Sequence, residues 1–277
     1  MFCVGEPVHV HSEEVVCKEG NFSLITSQQP APLIGFGDNI LSKGQVEVWV
    51  YGDNYLGKHA EYIDIVPSVL YGITNDLSLL LSVPVAAKYQ ENAHSSSGFE
   101  DLSFQMEYAI YNLQYPCSNA QWTVVAAASV PTGSIHKNPP TGFGNMTYFL
   151  GTTYNHTWKE WFLFTEYGVQ IPLPQHGTKV GNQYLYQLGF GKTVFQRGGW
   201  IFSWMTEIDG SFFERNKVKG HTNPDSGGNV IYVTPSLWAS SNQWIFQLGV
   251  GYAVQQRFFG HQNPDRYLFA FTVERLF

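Results

Sequence analysis

Trp244-Ile245-Phe246-Gln247-Leu248-Gly249-Val250-Gly251-Tyr252-Ala253-Val254 puts an apolar or aromatic residue at every even position and, from Gln247 on, sets Gln, Gly, Gly and Ala between them. A period of two belongs to a strand, because successive side chains point to opposite faces. The run is long enough for a tilted strand to cross a bilayer, which takes about 9–11 residues. The same rhythm starts at Trp122, Trp161 and Trp200, and each run follows a polar turn, near Pro116-Cys117, His156 to Lys159 and Gln196 to Gly199. Tryptophan at the first lipid-facing position of a barrel strand lies at the bilayer boundary, where the ring is apolar and its N–H stays wet. Trp122, Trp161, Trp200 and Trp244 are therefore expected as membrane-interface anchors.

Composition agrees. Charged residues make up 13% of the 277 residues and aromatics 16%, about half the charge usual for a soluble domain. No run approaches the roughly 20 apolar residues of a membrane helix, so any crossing is made by strands. A formal net charge of −7 without a Lys/Arg cluster excludes nucleic acid as a partner. The three cysteines, Cys3, Cys17 and Cys117, lack zinc-type spacing; a Cys3–Cys17 bridge is one option and free thiols another. Residues 1–20 show neither the basic start nor the apolar stretch of a signal peptide, which export would need.

From Gln45 onward about twelve candidate strands follow one another. The long connections are expected at 52–60, 90–98, 134–145, 172–182, 213–228 and 257–265, and short turns join the other ends. Outer-membrane barrels have this asymmetry, with short periplasmic turns and long outer loops. The expected fold is all-β, a transmembrane antiparallel up-and-down β-barrel of about 12 strands over residues 45–277. It is preceded by a polar segment, 1–44, acting as a periplasmic tail or a lumen plug. A β-sandwich would also alternate, but its apolar rows would face a core. The tryptophans recur at roughly 40-residue intervals, as in propellers, yet each interval holds two long strands rather than four short ones.

The chain ends Tyr267-x-Phe269-x-Phe271-x-Val273-x-Arg275-x-Phe277. This resembles the C-terminal assembly signal of bacterial outer-membrane barrels, which implies recognition of that strand by the barrel-assembly machinery. Arg275 departs from an ideal row, and near an interface its long side chain can snorkel. Phe277 is expected as a further interface anchor.

Three segments resemble one family of outer-membrane transporters associated with the meta-cleavage pathway of phenol degradation. They are Tyr71-Gly72-Ile73-Thr74-Asn75-Asp76-Leu77, Gly98-Phe99-Glu100-Asp101-Leu102 and Val130-Pro131-Thr132-Gly133. The family has a Tyr-Gly-x-Thr-Asp/Asn turn, a Gly-x-Gly-Asp-Leu strand start and a Pro-Thr-Gly strand exit. Here Glu100 stands in place of the second glycine. Gly44-Gln45-Val46-Glu47 is similar to the family's first-strand start, so the likeness runs from about residue 35 to 277. It implies an outer-membrane barrel that passes small molecules, with no cofactor and no named substrate. Outer-membrane lipid and a small solute are the expected partners.

The chemistry is expected in two places. Acidic side chains assigned to the lumen are Asp64, Asp101, Glu107, Glu166, Glu207, Asp209 and Glu274, with Lys88, Lys192 and Arg266 as opposite charges. Their excess implies a cation preference if water passes, and a closed salt-bridge network otherwise. The inward glycines Gly189, Gly191, Gly249 and Gly251 either make room for solute or permit tight curvature. Each expected outer loop also carries a histidine: His59, His94, His136, His176, His221 and His261. His136, His221 and His261 open H-x-N-P motifs, whose plain reading is a turn; convergence of these three on a divalent metal is the functional one. Catalysis has little support: Ser129 and Ser203 are assigned to the lumen, His156 is the sole histidine near a strand end, and no G-x-S-x-G elbow occurs. The favoured function is a passive channel for small solutes. The alternatives are a closed structural or adhesive barrel with binding loops, and a lipid-modifying enzyme.

Overall fold

The structure, a computed structural model, describes residues 17–37, 40–175 and 177–277. Cys3, His9, His11 and His176 lie outside the described residues. The wall begins with β1 (Val46–Gly57), β2 (Ala60–Gly72), β3 (Leu77–Ser82), β4 (Val85–Glu91), β5 (His94–Phe99) and β6 (Leu102–Tyr115). It continues through β7 (Ser118–Val130), β8 (Thr147–Trp158), β9 (Trp161–Pro172), the short β10 (Thr178–Lys179), β11 (Gln183–Arg197) and β12 (Trp200–Phe213). The short β13 (Lys217–Val218) and β14 (His221–Thr222) precede β15 (Gly228–Ser240), β16 (Trp244–Phe258) and β17 (Asp265–Leu276).

These form a closed antiparallel barrel of 12 strands. β3 and β4 act as one staff broken at Val83-Pro84, since β2 pairs with both; β5 and β6 are a second, broken at Glu100-Asp101. Proline lacks the ladder N–H, so Pro84 ends β3's pairing and resets it. β1 pairs with β17 from Glu47↔Leu276 onward, which closes the wall and leaves no edge along that seam. The β10, β13 and β14 pieces make a small separate sheet within the loops.

The alternation is carried through. On β16 Phe246, Leu248, Val250, Tyr252 and Val254 are exposed, while Ile245, Gln247, Gly249, Gly251 and Ala253 are buried inside. Apolar side chains outside and polar ones inside is the inverse of a soluble fold, and fits hydrocarbon as the surrounding medium. Trp161, Trp200 and Trp244 are the first residues of their strands on this outward face, Trp122 stands four residues into β7, and Trp158 joins them at the end of β8. Arg275 stacks its guanidinium over Trp244, 5.1 Å from the ring centroid, and over Phe277, 4.7 Å away. Cation–π contact between interface rings thus accounts for its place in the terminal row.

Two of the six expected long loops are instead continuous strand. Residues 52–60 and 90–98 belong to hairpins closed at Lys58-His59 and Asn92-Ala93. Their polar residues suggest loops, but in a barrel such residues face the lumen or stand beyond the membrane. The inward glycines of β11 do not open space for solute. A Cβ on Gly189 would lie 1.9 Å from Phe164 Cε2, and one on Gly191 2.3 Å from Phe162 Cζ, so the rings fill those positions. Gly189→Val is expected to destabilise the refolded barrel by about 1–3 kcal/mol, the usual cost of overpacking. An unchanged urea midpoint would show that Phe164 has another rotamer to occupy.

Candidate functional site

The lumen is filled from one end by described residues that precede β1. Cys17 forms a disulfide with Cys117 in the β6–β7 turn, and Cys17 N–H donates to Pro116 O at 3.1 Å. This corrects the Cys3–Cys17 option. Next, Asn21 N–H donates to Lys159 O at 2.8 Å, and its carboxamide donates to Trp158 O at 2.9 Å. Glu19 pairs with Lys159, whose ammonium holds the Glu19 carboxyl below the usual carboxylate range. Residues 17–21 are therefore clamped to two neighbouring short turns.

The segment then rises into the barrel. Leu33 N–H and Ile34 N–H donate to the two oxygens of Glu207, each at 3.0 Å, and Phe36 N–H donates to Glu166 Oε2 at 3.0 Å. In return Gln187 donates to Ile34 O at 2.8 Å and Gln105 to Phe36 O at 2.7 Å. An irregular backbone inside a barrel must have its polar groups satisfied, and the lumen carboxylates and carboxamides do this. Apolar contacts reinforce the fit: Ala31 packs in a buried cluster with Phe162, Phe164, Met205, Trp238 and Ile245. Gly249 makes way for Leu33, whose Cδ2 would be 2.5 Å from a Cβ there. The chain returns to the short-turn end, where Leu41 N–H donates to Ser78 Oγ at 3.2 Å and Lys43 N–H to Asn75 Oδ1 at 2.9 Å.

The acids expected in the lumen have distinct positions. Glu166 and Glu207 hold the inserted segment, and Glu107 is buried beside Gln105, whose amide donates to it at 2.7 Å. Asp209 accepts from Thr234 Oγ1 at 2.9 Å and from Gln187, and Glu274 faces the same chamber. Asp64 stands directly across from Asp53 on the β1–β2 ladder, an acid the sequence reading missed. Asp101 instead pins the loop after β7, accepting from Gly133 N–H at 2.9 Å and Phe143 N–H at 2.8 Å.

The basic assignments need correction. Lys88 lies opposite Ile63 on the outward face and pairs with Glu61, with 42% of its side chain exposed. Lys192 is also outward, 3.3 Å from Glu160 and 5.2 Å from the Trp161 ring centroid. Arg266 is exposed at the bulge that opens β17, on the loop rim. Among the described residues every lysine and arginine lies on the outer wall, in a turn, in a loop or at a rim, and the charged side chains of the transmembrane interior are all acidic.

Between the segment and the wall lies a chamber of about 430 Å³. One side is aromatic, from Trp49, Tyr51 and Tyr55 on β1; the other carries Gln187, Asp209 and Glu166; Pro32 to Phe36 form part of the boundary. At the loop end a wider vestibule of about 920 Å³ is bordered by both Gly-His-x-Asn-Pro-Asp motifs. The motifs clasp each other: Asp225 of the first accepts from His261 N–H of the second at 2.8 Å, and His261 Nδ1 lies 3.5 Å from the same oxygen. The backbone N–H and imidazole of His261 hold the Asp225 carboxyl below its ordinary range. The clasp is thus present at neutral pH and lost as acid protonates Asp225. His136 is in the loop after β7, His221 in β14 and His59 in a tight turn, and among the described residues no group of three His, Cys, Asp or Glu could hold a metal.

Ser129 and Ser203 face the lumen as expected. On the outer wall, Ser118 Oγ lies 2.9 Å from His156 Nε2, Tyr154 OH lies 3.2 Å from Nδ1, and Trp158 stacks on the imidazole at 4.0 Å. Sequence spacing gave no sign of this contact. Its third member is a phenol rather than the carboxylate of a hydrolytic triad.

No curated protein matches the chain. Among solved structures, that of the COG4313 outer membrane channel from Pseudomonas putida F1 is similar with a TM-score of 0.73 at 14% identity, covering 90% of this chain and 100% of that one. The NanC porin is similar with a TM-score of 0.51 at 11% identity, over 82% of this chain and 98% of its own. Both likenesses concern the fold. Residues 27–263, which include the inserted segment from its rise into the lumen, match the family described as "Putative MetA-pathway of phenol degradation", and the chain belongs to that family.

Proposed function

We propose that the protein is an outer-membrane channel through which small solutes pass passively, that residues 17–45 set the width of the path, and that the lumen favours cations. Outer-membrane residence follows from the exposed apolar belt with its tryptophans at the short-turn end, which is then the periplasmic side. The single observation that carries the selectivity is that, among the described residues, no lysine or arginine enters the interior, where Glu166, Asp209 and Glu274 border the chamber and Asp53 and Asp64 stand across from each other on β1 and β2. A low-dielectric wall strengthens the pull of fixed carboxylates on a passing cation. The row ending at Phe277 supports β17 as the strand read by the assembly machinery.

The experiment is a reversal potential across planar bilayers under a KCl gradient. Cation preference is expected, and Asp209→Asn together with Asp64→Asn should move the potential toward zero. An anion-selective potential would refute the charge assignment. Absence of any conductance, in the intact chain and in one lacking the lumen segment, would favour a closed barrel whose loops bind partners.

A further inference from the structure

We infer that the outer wall between β12 and β17 binds one phospholipid of the periplasmic leaflet, with its phosphate on Arg275 and an acyl chain in a furrow over Ala239. The assignment rests on the membrane placement of the barrel and not on conduction. Strand register defines the furrow. Phe202 on β12 stands opposite Ala239 on β15, Ala239 opposite Phe246 on β16, and Phe246 opposite Val273 on β17. A single methyl group thus lies between two phenyl rings in one outward row. The next outward row, Trp204, Leu237, Leu248 and Phe271, lines the same depression. Its volume is about 640 Å³, within the range of small-molecule sites, and its outward side chains are all aliphatic or aromatic.

A depression in a lipid-facing wall prefers no lipid by itself, because hydrocarbon bathes the whole wall. Close packing and a fixed polar contact make the difference. Rings supply the packing: Trp200 approaches Phe246 to 6.0 Å across β15, and Phe195 stacks on Phe202 at 4.5 Å, so a chain over Ala239 meets aromatic groups on both sides. The polar contact is Arg275, which pairs with Trp244 in the ladder and follows Val273 by two residues on the outward face of β17. It therefore stands at the interfacial end of the furrow. Lys88, Lys159 and Lys192 each pair with a glutamate, whereas Arg275 lies over the rings of Trp244 and Phe277 and, among the described residues, forms no ion pair. Stacking engages the face of a guanidinium and leaves the N–H donors on its edge for an oxyanion. At the boundary that the tryptophans mark, the phosphate of a phospholipid is that anion. Charge at the mouth and hydrocarbon below it are what such a lipid joins in one molecule.

Native mass spectrometry of the full chain, folded in detergent and mixed with dioleoylphosphatidylglycerol, should show one retained lipid per barrel. Dioleoylglycerol keeps both chains and lacks the phosphate; it should be retained at least about tenfold less, and glycerol phosphate not at all. Arg275→Gln and, separately, Ala239→Phe should each lower retention of the phosphatidylglycerol by about tenfold, with heat-modifiable gel mobility confirming the folded barrel. Arg266→Gln, at the loop rim, should leave it unchanged. Equal retention of dioleoylglycerol, or retention indifferent to the changes at Arg275 and Ala239, would overturn the assignment. Binding of glycerol phosphate would also overturn it, in favour of a site for free phosphate. A dimer that Ala239→Phe abolishes would give this face to a second copy of the chain instead. The KCl reversal potential decides conduction separately, so either reading can fail while the other stands.

Discussion

Deleting residues 29–37 should raise single-channel conductance several-fold while leaving a folded barrel. The deletion removes the backbone that sits on Glu166 and Glu207 but spares the clamp at 17–21 and the return at 41–45. Conductance follows free cross-section, and a barrel of twelve strands lies between the small barrels that side chains fill and the large ones that hold open water channels. The inserted backbone with its Leu33, Ile34 and Phe36 side chains is therefore a large share of what obstructs this lumen. The wall should survive because its ladder is continuous around the circumference, and the freed carboxylates gain water in place of peptide N–H donors. Unchanged conductance would mean that the constriction is built by the wall itself.

Reduction of Cys17–Cys117, or the Cys117→Ser variant, should lower stability and loosen the segment. The bond spans a sequence separation of 100 residues. In the chain-entropy account a cross-link of about that span restricts the unfolded chain by roughly 4–5 kcal/mol, with losses of about 2–4 kcal/mol typical in practice. The native wall does not depend on the bond, so urea unfolding should shift without loss of strand content. Locally, residues 17–21 would retain the Asn21 contacts but lose the covalent tie. Cleavage near Lys18 by trypsin should become faster, and full openings of the channel more frequent. Identical urea midpoints with and without reductant would show that the tie restrains nothing.

Period-two rows announced the wall, its strand count and the outward tryptophans, because in a barrel every second residue meets lipid and composition must follow. Facing was less secure wherever a bulge intervened. Counting by twos from the buried Ala86 puts Lys88 in the lumen, but the register shift opposite Ile63 and Asp64 inserts a residue and turns Lys88 outward. Lys192 follows the alternation of its own strand and faces out, where Glu160 and the Trp161 ring accommodate its charge at the interface. The lumen acids were legible as residues and not as roles, since Glu166 and Glu207 bind backbone amides that any side chain could carry. The path of residues 17–45 has no periodicity to betray it, and cysteine spacing left the disulfide open. Likewise, the two Asn-Pro-Asp motifs read as turns, and only the structure shows one clasping the other.

The inserted segment starts from Cys17 beside the β6–β7 turn and finishes at Gln45 beside the β2–β3 turn, so both its ends lie on one rim. In topological terms it is a loop dipped into a cup, not a thread drawn through a ring. A finished barrel can take it up from below, and it can be withdrawn the same way without any strand parting. Among the described residues, nothing in this path requires the wall to part for its interior to be filled.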